Sequence, residues 1–276
     1  MLSLHTNNAA LSAQNSLSQT QGKLTTSMTR LSTGFRINSA SDDAAGLQIA
    51  TRLKAQTSGM ATAMRNTQNA TSMIQTAGGA LAEIKNMLIR MKDLATQAAD
   101  GASSSDDRTA LQAEFDDLNK EITNIVTNTT FAGTKLLKTD GFAAAAKVKF
   151  QIGATKDETM EVDVSTNVGK IETDSAALVW TTQTTANTMI DKTQAVIDIV
   201  SKVDSALGAA ANRLEHVHNN LANISANTKA ATGRIMDTGF ATESANMTTN
   251  QMLTQAGTAM LKQSNSMSSM VMSLLQ

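Results

Sequence analysis

Residues 53–98 read LKAQTSGMATAMRNTQNATSMIQTAGGALAEIKNMLIRMKDLATQA. Leu53, Met60, Ile74, Leu81 and Leu88 recur there at one heptad position, with Thr67 and Ala95 on the same line. Ala63, Ala70, Ala77, Ile84, Met91 and Ala98 hold the second position. Large residues opposite small ones let two helices approach closely. About 55 helical residues between Asp42 and Asp100, at 1.5 Å each, predict a rod roughly 80 Å long. Gly78-Gly79 falls mid-helix and costs about 2 kcal/mol of propensity against alanine, which tertiary packing must offset. Gly101 ends the segment.

The same grammar continues outward. Ser104 followed by Asp107 is a capping-box signature, and Leu111, Phe115, Leu118, Ile122 and Ile125 then step 4-3-4-3 to about Asn128. Over about 131–172 the period changes. Val148, Phe150 and Ile152 alternate with polar residues, Gly153 opens a turn, and Met160, Val162 and Val164 alternate with Glu161 and Asp163. Period two on both sides of a turn predicts a β-hairpin. From about Trp180 the heptads return. Val196, Val203, Ala210, Val217 and Ile224 form one line, and Val200, Leu207, Leu214, Leu221, Thr228 and Ile235 the other. A strict seven-residue repeat implies left-handed packing along another helix, for which 42–100 is the natural partner. The expected fold is mainly α: a coiled-coil rod domain of three long helices with a small β-hairpin (42–235), and a second domain made of the two ends (1–41 plus 236–276).

Those ends are amphipathic in an unusual way. Leu17, Leu24 and Leu31 repeat every seven residues, with Met28 and Phe35 on the alternate steps. Ala256, Met260, Met267, Val271 and Leu274 repeat the pattern near the C-terminus. The opposite faces carry Ser, Thr, Asn and Gln. No acidic residue precedes Asp42, and Lys262 is the only charge after Glu243. Thr, Ser and Asn are each about 0.5 kcal/mol poorer than alanine in a helix, so such ends are marginal alone. Each seam Leu or Met would contribute roughly 1.5–3 kcal/mol once covered. The stripes therefore read as a polymerisation seam, mobile in the free chain and helical in a polymer. An interface that uses both ends of one chain without a two-fold device suits an open-ended homopolymer.

Composition narrows the classes further. There is no proline among 276 residues, which removes the strongest helix breaker. Aromatics are 3%, so the core is thin, as between close-packed helices. A net charge of −1 gives no footprint for nucleic acid or an anionic membrane. No window approaches a bilayer-spanning apolar run, and the first residues lack the charged and apolar regions of a cleavable secretory signal. Zero cysteines exclude disulfides and thiol catalysis.

Leu31-Ser32-Thr33-Gly34-Phe35-Arg36-Ile37-Asn38-Ser39-Ala40, continuing as Ser41-Asp42-Asp43-Ala44-Ala45-Gly46, resembles the N-terminal signature of bacterial flagellin. Phe131-Ala132-Gly133-Thr134-Lys135-Leu136-Leu137, Asn212-Arg213-Leu214, Gln255-Ala256-Gly257-Thr258 and Ser273-Leu274-Leu275 are similar to further family motifs, in the right order. Met236-Asp237-Thr238-Gly239-Phe240 departs from the acidic run more usual there. The resemblance implies paired N- and C-terminal helices lining a filament channel and a rod domain around them. Outer domains inserted mid-chain in many members are expected to be missing. It also implies an extracellular filament, type III export without signal cleavage, an export chaperone on the C-terminal segment, and cap and hook-junction partners. Through the same resemblance, Arg90, Leu94, Leu111 and Glu114 match a patch bound by a host innate immune receptor, with Ile89 replacing a commoner polar residue.

Nothing in the residues suggests chemistry. His216 and His218, two apart on a helix, point about 200° apart and cannot chelate together. His5 is isolated in the N-terminal end. Asp42-Asp43 and Asp106-Asp107 sit where helix starts favour negative charge, and Asp116-Asp117 reads as a solvated face. Gly78-Gly79 and Gly153 lack the strand-to-helix setting of a phosphate loop. No catalytic residue, cofactor or metal is expected. Three other readings compete. A hook–filament junction or other type III axial protein shares the terminal logic. A chemoreceptor-type coiled coil would lack the β pattern at 148–164. A bundle enzyme would need an inward Glu/His constellation, which the sequence does not offer.

Overall fold

The computed structural model describes residues 7–274 apart from 139, 145, 146, 177 and 181, and side chains as far as residue 267 apart from 176. The chain forms two compact units, one of residues 56–225 and one of residues 1–55 with 226–276. Among the described residues the elements run α1 (Asn8–Thr33), α2 (Ala44–Ala98), α3 (Ser105–Asn128), β1 (Thr130–Phe131), β2 (Thr134–Lys135), β3 (Val148–Gln151), β4 (Thr159–Val162), α4 (Ser165–Ala176), α5 (Gln183–Met236) and α6 (Phe240–Leu274). The fold is mainly α with small antiparallel β pairs.

Within the 56–225 unit, both heptad lines of α2 are buried. Met60, Thr67, Ile74, Leu81, Leu88 and Ala95 alternate with Ala63, Ala70, Ala77, Ile84, Met91 and Ala98 along the core. Helix α5 returns antiparallel to α2. Lys92 Nζ donates to Gln194 Oε1 at 2.7 Å, and further along Thr67 Oγ1 lies 3.3 Å from His218 Nδ1. Val196, Val200, Val203, Leu207, Ala210, Leu214 and Leu221 bury the α5 side. Its seam drifts at the end, because a straight 3.6-residue helix slips about 20° per heptad against a seven-residue line. Ile224, expected on the seam, is therefore exposed, and Ser225 takes the buried place.

Helix α3 starts where the capping box requires. The Ser104 hydroxyl accepts from the Asp107 N–H at 3.1 Å, and the Asp107 carboxylate accepts from the Ser104 N–H at 3.0 Å. Phe115, Ile122 and Val126 face inward, and the Phe115 ring meets the edge of Trp180 with centroids 4.4 Å apart.

The β-hairpin pairs Val148 with Val162 and Phe150 with Met160, with Met160, Val162 and Val164 buried. The 131–172 region holds more than that hairpin. Strands β1 and β2 close a two-residue turn at Ala132 (φ 49°) and Gly133 (φ 86°), the left-handed pair that such tight turns need. Helix α4 buries Val168 and Ile171 against the same core. The hairpin turn sits directly on α2: a Cβ at Gly59 would lie 2.8 Å from Ala154 Cβ. Only a glycine admits that approach without a shift.

Candidate functional site

In the other unit, the two terminal helices pair antiparallel. Asn7 caps α1 through the Ala10 N–H and also donates to Ser264 Oγ at 3.2 Å. Leu17 lies over Gly257, where an added Cβ would sit 3.3 Å from Leu17 Cδ1. Arg30 and the buried Glu243 form an ion pair at 3.8 Å. Phe35 and Asp237 then make an isolated antiparallel bridge, with Arg36 N–H donating to the Met236 carbonyl and Thr238 N–H to that of Gly34.

This pairing has its own 4-3 spacing. On α1, Leu17, Leu24 and Leu31 alternate with Ala13, Thr20 and Ser27, all buried or half-buried. On α6, Met247, Thr254 and Leu261 alternate with Glu243, Asn250, Gly257 and Ser264. Eight of these thirteen positions are small or polar, so the helices approach closely while covering little apolar surface. Sequence reasoning found the leucine line and missed its small companions, because amphipathicity weighs side-chain size. Spacing alone could have revealed them.

Other large residues stay uncovered. Met28 and Phe35, placed by sequence on the alternate steps of the α1 seam, are exposed. Ala256, Met260 and Met267 on α6 are exposed too, together with Met252 and Leu253; Met252 lies opposite the line that meets α1, while Leu253 and Met260 flank it. The side chains of Val271 and Leu274 lie outside the described residues, as does His5. The molecule thus presents an uncovered apolar stripe on a helix whose other face is already occupied.

The segment between α1 and α2 explains its own sequence. Gly34 takes φ 76° and its N–H caps the Arg30 carbonyl. Ile37 is buried. The Asp43 carboxylate accepts from the Gly46 N–H at 2.8 Å, closing the first turn of α2. A Cβ on Gly46 would come within 2.8 Å of Ile37 Cδ1 and closer still to the Asp43 carboxylate. Asp42 accepts from the N–H groups of Ser39 at 2.9 Å and Asn38 at 3.1 Å, and from the Ser39 hydroxyl. These bonds, that from the Ser39 N–H foremost, hold its carboxyl below the ordinary aspartate value.

In the 56–225 unit, Arg90 Nε and NH2 both donate to Glu114 Oε1, at 2.9 and 2.7 Å, across the surface of α2 and α3. Ile89 is exposed beside them and Leu111 is half-buried. Leu94 is 1% exposed and belongs to the core, so it contributes no surface to a patch there. Among the described residues no cluster of His, Asp or Glu could hold a metal ion, and no helix is long and apolar enough to cross a membrane.

Comparison with known proteins bears on these features. A profile of the bacterial flagellin N-terminal helical region matches residues 4–141, and one of the bacterial flagellin C-terminal helical region matches 186–275. Flagellin of Halalkalibacterium halodurans is 41% identical over 250 residues, covering 90% of each chain. Flagellin A of Vibrio anguillarum aligns over the whole of both chains at 32% identity, across 381 positions against the 276 residues here. Among solved structures, a flagellar hook-associated protein of Vibrio parahaemolyticus superposes with a TM-score of 0.57 at 16% identity, covering 71% of this chain and all of that one, which is a likeness of fold.

Proposed function

The chain belongs to the bacterial flagellin family, and from that premise we propose how its ends build the polymer. It is a structural subunit of the flagellar filament, the extracellular propeller of motility, and it assembles with further copies of itself. It is a short form, with only small β pairs and α4 where longer relatives carry outer domains. The hook–filament junction reading is not favoured, since the relatives matched along nearly their whole length at 32–41% identity are flagellins.

In the proposed mechanism the two terminal helices act as one assembly domain. Pairing of α1 with α6 uses the face of small and polar residues. The stripe of Met252, Ala256, Met260 and Met267, with Met28 and Phe35, then packs against the same domain of neighbouring subunits, and Leu17, Leu24 and Leu31 brace it from within; Val271 and Leu274 continue its spacing in the sequence. The carrying observation is that this stripe is exposed on a helix already paired with α1 along another line. Neutral Ser, Thr, Asn and Gln around it suit a hydrated channel wall that does not retain a passing charged chain.

Deletion of residues 260–276 tests the mechanism. The variant should stay soluble and helical through its 56–225 unit but fail to elongate seeded filaments under electron microscopy. Normal filaments from it would refute the assignment.

Export by the flagellar type III route without signal cleavage, a chaperone on the C-terminal segment, and docking to cap and hook-junction proteins complete the proposal. A host innate immune receptor is assigned to the surface around Ile89, Arg90 and Glu114. Arg90→Ala should weaken activation of receptor-bearing reporter cells roughly tenfold, as removing a central charged anchor does. Unchanged activation would remove the patch from the proposal.

A further inference from the structure

We propose that Met252, Met260 and Met267, with Met28 on α1, form an oxidation-sensitive patch: a peroxide acting on the free subunit converts their thioethers to sulfoxides and blocks addition to the filament. The inference rests on the reading that neighbouring copies cover this stripe.

The chain has 16 methionines and no cysteine, so its readily oxidised sulfur is thioether alone. Among the described methionines two groups stand at the extremes, with Met64, Met73, Met87, Met236 and Met247 half-buried between them. Met60, Met91, Met160 and Met189 are 0–3% exposed in the 56–225 unit, whereas Met28, Met252, Met260 and Met267 are 47–67% exposed on the terminal helices. In the step itself, a sulfur lone pair forms the S–O bond as the peroxide O–O bond breaks. The sulfur loses two electrons, and the second peroxide oxygen leaves as water. The product side chain is polar and accepts hydrogen bonds.

Placement gives this chemistry its consequence. The three α6 methionines are outside the line of residues that meets α1 and more than half exposed, so a sulfoxide there can stay hydrated in the free subunit. In an assembled filament it would lie among apolar side chains, with Leu253 and Ala256 as its neighbours on the stripe, and neither side chain can donate to the new oxygen. Burying an unpaired oxygen of that kind should raise the critical concentration roughly tenfold per modified residue.

The test treats purified full-length chain with graded hydrogen peroxide, maps oxygen uptake by peptide mass spectrometry, and then seeds elongation. Expected is early oxidation at 28, 252, 260 and 267, sparing of 60, 91, 160 and 189, an unchanged circular dichroism spectrum, and arrested elongation. Reduction by methionine sulfoxide reductases should restore it. The volume-conserving quadruple variant M28L/M252L/M260L/M267L should elongate like the unmodified chain and keep elongating after peroxide. Undiminished elongation of fully oxidised native chain, or equal peroxide sensitivity of the quadruple variant, overturns the inference. A separate M260D/M267D variant isolates the underlying seam. If it elongates normally the seam reading itself falls and the inference with it; if it fails to elongate while oxidised native chain does not, only the oxidation inference falls.

Discussion

Asp42 and Asp107 are both fully solvent-facing carboxylates tied to backbone at the edge of a helix, and both are held below the ordinary aspartate value. For Asp107 the Ser104 hydroxyl is the main cause and the Ser104 N–H the second; for Asp42 the Ser39 N–H leads. A depressed carboxylate stabilises the fold above its unfolded-state value, and that contribution is lost as pH falls through the folded value. The D42N/D107N double variant should therefore show a shallower decline of melting temperature than the native chain between about pH 5 and about pH 2.5. An identical acid limb would show that these bonds contribute nothing. The capping role of Asp107 was legible from its spacing to Ser104. The role of Asp42 was not, because a carboxylate three residues past Ser39 announces a helix start as readily as a loop anchor. Ala132 was illegible for a different reason: a left-handed alanine goes against its intrinsic preference, and no neighbour in sequence signals it.

Elements with a sustained period were easy to read. The heptads of α2, α3 and α5 matched their buried faces because both lines are apolar over several turns. Helix α4 was missed, since Val168 and Ile171 are too few to display a period within 12 residues next to a strand. The face joining α1 to α6 was hidden because its companions are Ser, Thr, Asn and Gly. Two glycines of α2 separate packing from propensity. Gly59→Ala would push a methyl into Ala154 and should destabilise the chain by about 1–2 kcal/mol after the propensity gain. Gly79 has nothing within 4 Å of an added Cβ. Gly79→Ala should stabilise by up to about 1 kcal/mol. Urea denaturation of both variants checks the contrast, and equal midpoints would mean that the hairpin does not rest on Gly59.

At the level of the whole molecule, the two units differ in how they are held. The 56–225 unit buries long lines of Leu, Ile, Val and Met, while the terminal pair only half-buries Leu17, Leu24, Leu31, Met247 and Leu261 among small and polar residues and leaves Met28, Met252, Met260 and Met267 exposed. The pair should accordingly be marginal in isolation. In hydrogen exchange below the polymerisation threshold, amides of α1 and α6 should exchange roughly a hundredfold faster than those of residues 74–98, and become protected once filaments form. Comparable protection in the free chain would contradict an order that depends on neighbours.

The partner of Asn7 is Ser264, 257 positions away in the sequence. On the proposed mechanism, a copy released from synthesis before α6 is made offers its first helix no mate and so no finished docking domain. Such incomplete molecules would then be barred from the growing tip by their own geometry.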